Sequence, residues 1–167
     1  KEDNMVPEIK KILYATDLSE SARHAFGYAA DLAQRYGAMM TILYVMENMS
    51  HLVEAEVKET IGQKEWDKLK FERLHYVTEK TKARLEGFCR EMNSEIDSCR
   101  LLVEDILVIR GNPPEEIINT SKGINADMIV MGSYGHNILE DAFIGGTARK
   151  VVKQSEKPVL VIRLPKK

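Results

Sequence analysis

Short apolar runs of strand length alternate along this chain with longer segments whose apolar residues recur at helical spacing. Such runs predict strands that are buried on both faces, as in a parallel sheet covered by helices. The predicted strands are Ile12–Ala15, Met39–Val45, Ile106–Ile109, Met128–Met131 and Val159–Ile162. Because strands and helices alternate, the pattern predicts an α/β fold, a three-layer sandwich built on a five-stranded parallel sheet.

The connection between the first two strands carries the clearest helical pattern. Small apolar residues recur at helical spacing from 22 to 33, and Gly37 stands where such a helix would end. Either Asp17 or Ser19 can cap the start of this helix. A second helix start is predicted at Asn112, a capping residue followed by two prolines that the first helical turn tolerates.

The segment from Glu47 to about Asn93 is the longest and most polar part of the chain. Residues 47–63 predict a short helix and a mobile loop, in which Met49 and Leu52 either line a pocket with Met46 or pack as core or lid. The rest predicts a long helix with an interrupted apolar stripe, formed by Trp66, Leu69, Leu74, Val77, Leu85, Phe88 and Met92.

Length and composition favour one domain over residues 1–167, with a core at about 10–163. The net charge is −2, so no whole-chain field favours nucleic acid or acidic lipid. The two cysteines, Cys89 and Cys99, match neither a redox pair nor a zinc motif. The chain has no apolar run long enough for a membrane span, and its first segment is polar. We therefore expect a cytoplasmic protein without membrane attachment.

Glycines stand at both ends of the connection that follows the fourth predicted strand: Gly132, Gly135, Gly145 and Gly146. Glycine lets backbone N–H groups approach an anion closely, and a helix start adds partial positive charge. The alternative is that these glycines only form turns, but four exceed what turns require, and we favour a phosphate-binding loop. The hydroxyl of Thr147 is available to a phosphate or a cation. The loop is neither a Walker A motif nor a dinucleotide fingerprint.

Three loops are expected to meet at the carboxyl ends of the strands, where parallel sheets bind ligands. Asp17 directly follows a strand, so its carboxylate can accept hydrogen bonds from ribose hydroxyls, unless it only caps the helix. Val45 offers main-chain groups to an adenine edge, or it is simply the end of a buried strand. The third loop is the glycine-containing connection, residues 132–146.

These residues together resemble the universal stress protein family over residues 10–163. ATP-binding members carry the pattern G-x2-G-x9-G followed by Ser or Thr, and Gly132, Gly135 and Gly145 reproduce that spacing. The opening strand with its aspartate loop (12–21), the segment Gly111–Ile117 and the closing segment Lys157–Ile162 look like those of the family.

The resemblance implies an adenine nucleotide alpha hydrolase-like fold with strand order 3-2-1-4-5. It also implies a homodimer through the strand Val159–Ile162 and a regulatory or signalling role in the stress response. ATP, with or without Mg²⁺, is the implied ligand. The implied nucleotide-binding residues are Ala15, Thr16, Asp17, Val45, Met131, Gly132, Gly135, Gly145, Gly146 and Thr147.

Within that set, Ala15 and Val45 would flank adenine, Asp17 would bind ribose, and the glycines and Thr147 would hold phosphates. One departure matters, because Gly146 stands where ATP-binding members usually have Ser or Thr. We expect this to weaken ATP binding without abolishing it.

Two other functions stay open at this point. One is a stress adaptor that binds no nucleotide and acts through protein partners. The other is a slow ATP hydrolase, for which His136 is the best general acid–base candidate and Glu140 and Asp141 are candidates to help hold Mg²⁺. No catalytic lysine or evident base accompanies the glycines, so we expect neither catalytic residues nor a protein metal site.

Overall fold

The computed structural model describes residues 7–92, 102–134 and 144–165. Its strands form one parallel sheet of order β3-β2-β1-β4-β5, which confirms the predicted order 3-2-1-4-5. The strands are β1 (Lys11–Thr16), β2 (Met39–Glu47), β3 (Val103–Gly111), β4 (Met128–Gly132) and β5 (Val159–Ile162). The helices are α1 (Glu20–Tyr36), α2 (His51–Ile61), α3 (Gln63–Met92), α4 (Pro113–Gly123) and α5 (Gly146–Gln154).

Helices cover both faces of the sheet, and each face has its own apolar core. On one face, Tyr14 packs with Phe26 of α1 and Leu85 of α3. On the other face, Leu13 packs with Ile117 of α4 and Val151 of α5. Neighbouring residues of β1 therefore point to opposite layers, as the period of a strand requires. The predicted three-layer α/β sandwich is confirmed.

Helix α1 begins and ends at the residues that the sequence indicated. The Ser19 hydroxyl accepts a hydrogen bond from the Ala22 N–H at 3.2 Å, so Ser19 is the N-cap. Gly37 has a φ of 63°, and its left-handed conformation lets the Ala38 N–H donate to the Ala33 carbonyl at 2.8 Å. These contacts fix the length of α1 and hold its first turn close to the end of β1.

The start of α4 differs from its prediction. Asn112 occupies the cap position, but its side chain makes no capping hydrogen bond. Pro113 and Pro114 fill the first helical positions and carry no N–H, so two of the donors that a cap would satisfy are missing. Strand β3 is also longer than the predicted Ile106–Ile109. It is an edge strand, and the exposed Glu104 and Asp105 are therefore tolerated within it.

The segment 47–62 contains helix α2, which confirms the predicted short helix. No residue of α2 is buried, and Leu52 is 84% exposed, so the suggestion that Leu52 packs in the core is wrong. Met49 is also exposed, whereas Met46 is buried. Helix α2 packs on α3, and its side-chain contacts with Trp66 and Lys70 lie in the first half of that helix.

One carboxylate joins α2 to α3. Glu54 accepts hydrogen bonds from the Trp66 indole N–H at 3.2 Å and from the Lys70 ammonium group at 2.9 Å, and it also pairs with Lys58 at 3.2 Å. These donors lower the pKa of Glu54 to about 2. Trp66 and Leu85 of the predicted stripe are buried, but Leu69 is 43% exposed, so its assignment to that stripe is wrong. The side chains of Phe88 and Met92 lie outside those described.

Candidate functional site

Strand β1 lies at the centre of the sheet, and the strand order reverses there. The chain moves from β1 outward to β2 and β3 on one side, and later fills β4 and β5 on the other. Ala15 is paired with Met131 of β4 and with Leu43 of β2, so the ends of these three strands are adjacent. Such a reversal opens a crevice beyond the carboxyl ends of the strands, which is where ligands bind in open parallel sheets.

The loop that leaves β1 is fixed by local hydrogen bonds. Asp17 Oδ1 accepts from the Ser19 N–H at 3.0 Å, and Thr16 Oγ1 accepts from the Leu18 N–H at 3.1 Å. Asp17 therefore forms an Asx turn. The suggestion that Asp17 caps α1 is wrong, because Ser19 occupies that position. The turn holds the Asp17 carboxyl group at the mouth of the crevice, beside the end of β1.

Leu18, in the same loop, has a φ of 65°. This left-handed conformation is costly for a residue with a branched side chain, and such strain clusters at functional sites. The neighbouring hydrogen bonds to Thr16 and Asp17 hold the loop in this conformation and offset the strain at Leu18.

Tyr14 ties the first turn of α1 to β1 beneath this loop. Its hydroxyl donates to the Ala22 carbonyl at 2.6 Å, and its ring packs edge-to-face on Phe26 with centroids 5.3 Å apart. Burial raises the pKa of Tyr14 above its usual value, because the phenolate would lose its hydration. Tyr14 therefore remains a neutral donor, and its hydrogen bond holds the first turn of α1 against β1.

Strand β2 extends further than β1 at the crevice. The pairing of β1 with β2 ends at Thr16 and Tyr44, whereas β2 continues to Glu47 along β3. On the side of β1, the backbone edge at Val45 and Met46 therefore lies beyond the last paired residue. This edge is suited to main-chain recognition of a planar base. Val45 is half-buried and Met46 is buried.

The exit of β4 is closed by backbone hydrogen bonds. The Ser133 N–H donates to the Ile162 carbonyl at 2.8 Å, and the Ser133 carbonyl accepts from the Gly145 N–H at 2.7 Å. Both amides are therefore already used within the protein. The two ends of the connection are held together by this contact, and the Gly145 amide is engaged in the fold rather than directed at an anion.

Gly132 has a packing reason to be glycine. A Cβ at this position would lie 2.7 Å from the Ser21 hydroxyl oxygen and 3.0 Å from the Ala22 backbone nitrogen. The Tyr134 N–H lies 3.5 Å from the same Ser21 oxygen, so the first turn of α1 sits directly on the exit of β4. The close approach of α1 accounts for glycine at 132, which is the structural alternative to a phosphate contact.

Gly146 is in a different situation at the start of α5. A Cβ at Gly146 would meet nothing within 4 Å, and the residue is exposed. Its neighbour Gly145 is the N-cap and supplies no side-chain hydrogen bond. The first intrahelical bond of α5 runs from the Arg149 N–H to the Gly145 carbonyl at 2.9 Å. The backbone N–H groups of Gly146, Thr147 and Ala148 come before that of Arg149 in the helix, and they have no intrahelical acceptor.

The remaining predicted residues divide into two groups. Ala15 and Met131 are buried in the layer shared with α4 and α5, and Thr147 is half-buried in α5. Gly135 lies outside the described residues, as do His136, Glu140 and Asp141.

Two serines that the sequence reasoning did not consider organise this site. Ser133 is fully buried, and its hydroxyl has no hydrogen-bond partner in the part of the chain that the structure describes. Ser21 provides the contact between α1 and the exit of β4. The only signal for Ser133 was its position directly after an apolar strand, whereas nothing in the local pattern indicated the role of Ser21.

Residues 8–163 match the Universal stress protein family. This chain belongs to the universal stress protein family. The match spans the five strands and five helices of the described residues.

Curated relatives match over nearly their full length. Universal stress protein MJ0577 of Methanocaldococcus jannaschii is 30% identical over 164 residues, covering 92% of this chain and 94% of the relative. A universal stress protein of Thermus aquaticus is 32% identical over 155 residues, covering 92% of this chain and 98% of the relative.

The solved structures agree with this assignment. The structure of MJ0577 superposes with a TM-score of 0.72 at 28% identity, covering 96% of this chain and 100% of that one. A universal stress protein in complex with cAMP shares the fold, with a TM-score of 0.56 at 17% identity over 94% of this chain and 98% of that one.

Two kinds of feature are absent from the described ranges. No helix there is long and apolar enough to cross a membrane. In the same ranges, no three side chains of His, Cys, Asp or Glu are grouped as metal ligands would be.

Proposed function

We propose that this universal stress protein binds an adenine nucleotide, ATP first of all, in the crevice between β1, β2 and β4. Nucleotide occupancy then acts as a regulatory signal in the cytoplasmic stress response, read by a protein partner. Binding can bias such a signal only if ATP has different affinities for two states of the protein.

The start of α5 is the observation that carries this proposal. Its first-turn amides have no intrahelical acceptor, its N-cap Gly145 provides no side-chain acceptor, and the space over Gly146 is open. An anion placed there would accept hydrogen bonds from the backbone and interact with the positive end of the helix dipole. Triphosphate oxygens fit this requirement, and among the described residues no packing contact explains glycine at 146.

The other parts of the nucleotide have candidate partners around the same crevice. The Asp17 carboxyl group, held by its Asx turn, is placed to accept from ribose hydroxyls. The backbone edge of Val45 lies beyond the pairing with β1 and is available to adenine. Ala15 and Met131, adjacent in the sheet, form the apolar floor. A relative with the same fold binds cAMP, which is also an adenine nucleotide.

The proposed homodimer rests on β5. This strand is the edge of the sheet, and among the described residues no strand pairs with the outer edge of Val159–Ile162. Apolar edge strands favour pairing with another chain, so a second copy at β5 would protect it.

The test compares Gly146→Ser with Gly146→Ala by isothermal titration with Mg-ATP. Wild-type protein should bind ATP, and Gly146→Ser should bind it more tightly because the new hydroxyl can reach a phosphate. A hydrogen bond to a charged group contributes about 1.5 kcal/mol at the low end, or roughly tenfold in Kd. The alanine variant adds the same Cβ without the hydroxyl and should show no such gain.

Two outcomes would contradict the proposal. Folded wild-type protein that gives no binding signal at millimolar ATP would favour the adaptor function, in which the surface and the β5 edge act without nucleotide. Equal ATP affinities of the serine variant, the alanine variant and the wild type would show that the phosphates do not bind at the start of α5.

A further inference from the structure

A second cavity lies on the opposite face of the sheet from the crevice. It encloses about 280 Å³ and is lined by residues of β1, α1 and α3 and of the loop after β1. This volume is close to the lower end of small-molecule pockets, which is roughly 300 Å³. Tyr14 and Thr16 of β1 face this cavity, whereas Ala15 between them faces the layer of α4 and α5. The cavity therefore lies on the other side of β1 from Ala15, and Thr16, which the resemblance implied for nucleotide binding, lines this cavity instead.

The described lining residues divide into an apolar group and a positively charged group. Leu18, Phe26 and Leu85 provide the apolar surface. Arg23 of α1 and Arg84 of α3 line the same cavity from different helices, and no carboxylate residue is found among its described lining residues. In the described part of the chain, no ion pair to Arg84 is present.

We propose that this cavity binds a small amphipathic organic anion, with an aromatic or branched apolar body and one carboxylate, sulfonate or phosphate group. The apolar body would pack on Phe26 and Leu85, and the anionic group would accept charge-assisted hydrogen bonds from Arg84. Arginine suits this role because its planar guanidinium group matches a carboxylate or phosphate geometry. Thr16 also lines the cavity, and its hydroxyl would be a further polar contact.

The cavity also shares a wall with the nucleotide loop. Leu18 lines the cavity, and it is the strained residue directly after Asp17. Occupancy of the cavity therefore acts on the loop that presents Asp17. Binding of the anion itself does not depend on the proposed nucleotide function.

The test uses 2-naphthoate as the anionic probe and 2-naphthamide as its uncharged counterpart of the same shape, both followed by isothermal titration. Wild-type protein should bind 2-naphthoate saturably and should bind 2-naphthamide roughly fivefold more weakly. This difference is the gain in affinity that one charge-assisted hydrogen bond gives at a partly exposed site. Arg84→Gln should lose that roughly fivefold preference, and Arg84→Lys should recover part of it. Methyl NMR signals of Leu18 and Leu85 should shift on titration with the anion.

Arg73→Gln is the matched control, because Arg73 is an exposed arginine on the same helix and does not line the cavity. Since Arg84 is exposed, its variants should fold as the wild type does, which circular dichroism checks. Absence of saturable binding at millimolar 2-naphthoate would overturn the proposal. So would equal loss in Arg73→Gln and Arg84→Gln. Failure of ATP binding alone leaves this result standing.

Discussion

A single methyl group added at Gly132 separates the structural role of a glycine from a ligand-binding role. In Gly132→Ala the new Cβ would lie 2.7 Å from Ser21 Oγ and 3.0 Å from both the Ala22 nitrogen and the Ser21 carbonyl carbon. Two of these three atoms belong to the backbone of α1, and Ser21 is itself buried, so rotation of a flexible side chain cannot relieve the contact. The first turn of α1 must therefore move away from β4.

The expected cost follows from that displacement. Overpacking of a well-packed interior costs about 1–3 kcal/mol. In a chain of this size, 1 kcal/mol lowers Tm by roughly 2–4 °C, so Gly132→Ala should unfold about 2–12 °C below the wild type. The displacement also disturbs the loop after β1, whose residues are held by the start of α1.

Gly146→Ala is the matched comparison, because its Cβ would meet no atom within 4 Å. Its stability should equal that of the wild type or exceed it by about 0.5 kcal/mol, since alanine restricts the unfolded chain more than glycine does. Thermal and urea unfolding without nucleotide measure both variants. If Gly132→Ala retained wild-type stability while ATP binding was lost, the packing explanation for Gly132 would be refuted and its phosphate role would be favoured.

Two further predictions concern single carboxylates. Asp17→Asn should weaken binding of ATP and of adenosine by similar factors, because both contain the ribose; titration with each ligand checks this, and a defect confined to ATP would contradict the ribose role. For Glu54, the folded-state pKa of about 2 lies below its usual value of 4.5. Its contribution to the attachment of α2 is therefore complete above pH 4.5 and is lost as the pH falls toward 2. The fluorescence of Trp66, the one tryptophan of the chain, should report this transition, and Glu54→Gln should eliminate it.

The roles assigned to the glycines show where sequence reasoning stopped. The spacing of Gly132, Gly135 and Gly145 pointed to the family, which the comparisons confirm. In the structure, however, Gly132 serves the packing of α1, and the Gly145 amide donates to Ser133. Among the described glycines of this connection, Gly146 is one that no packing contact explains. A spacing pattern shows which residue types occur together, but it does not show which backbone N–H groups already donate hydrogen bonds within the protein.

The sequence by itself determined the order of strands and helices along the chain and the limits of α1, because hydrophobic periodicity and capping residues act over a few neighbouring positions. The glycine spacing and the matching segments also indicated the family. It also placed Asp17 and Val45 at the ends of strands that meet. Only the tertiary structure decided that Ser19 rather than Asp17 caps α1, that Ser21 sits on the exit of β4, and that Arg84 shares a cavity with Thr16. These contacts join residues that are distant in the chain, so they depend on how the layers pack, and no local pattern encodes them.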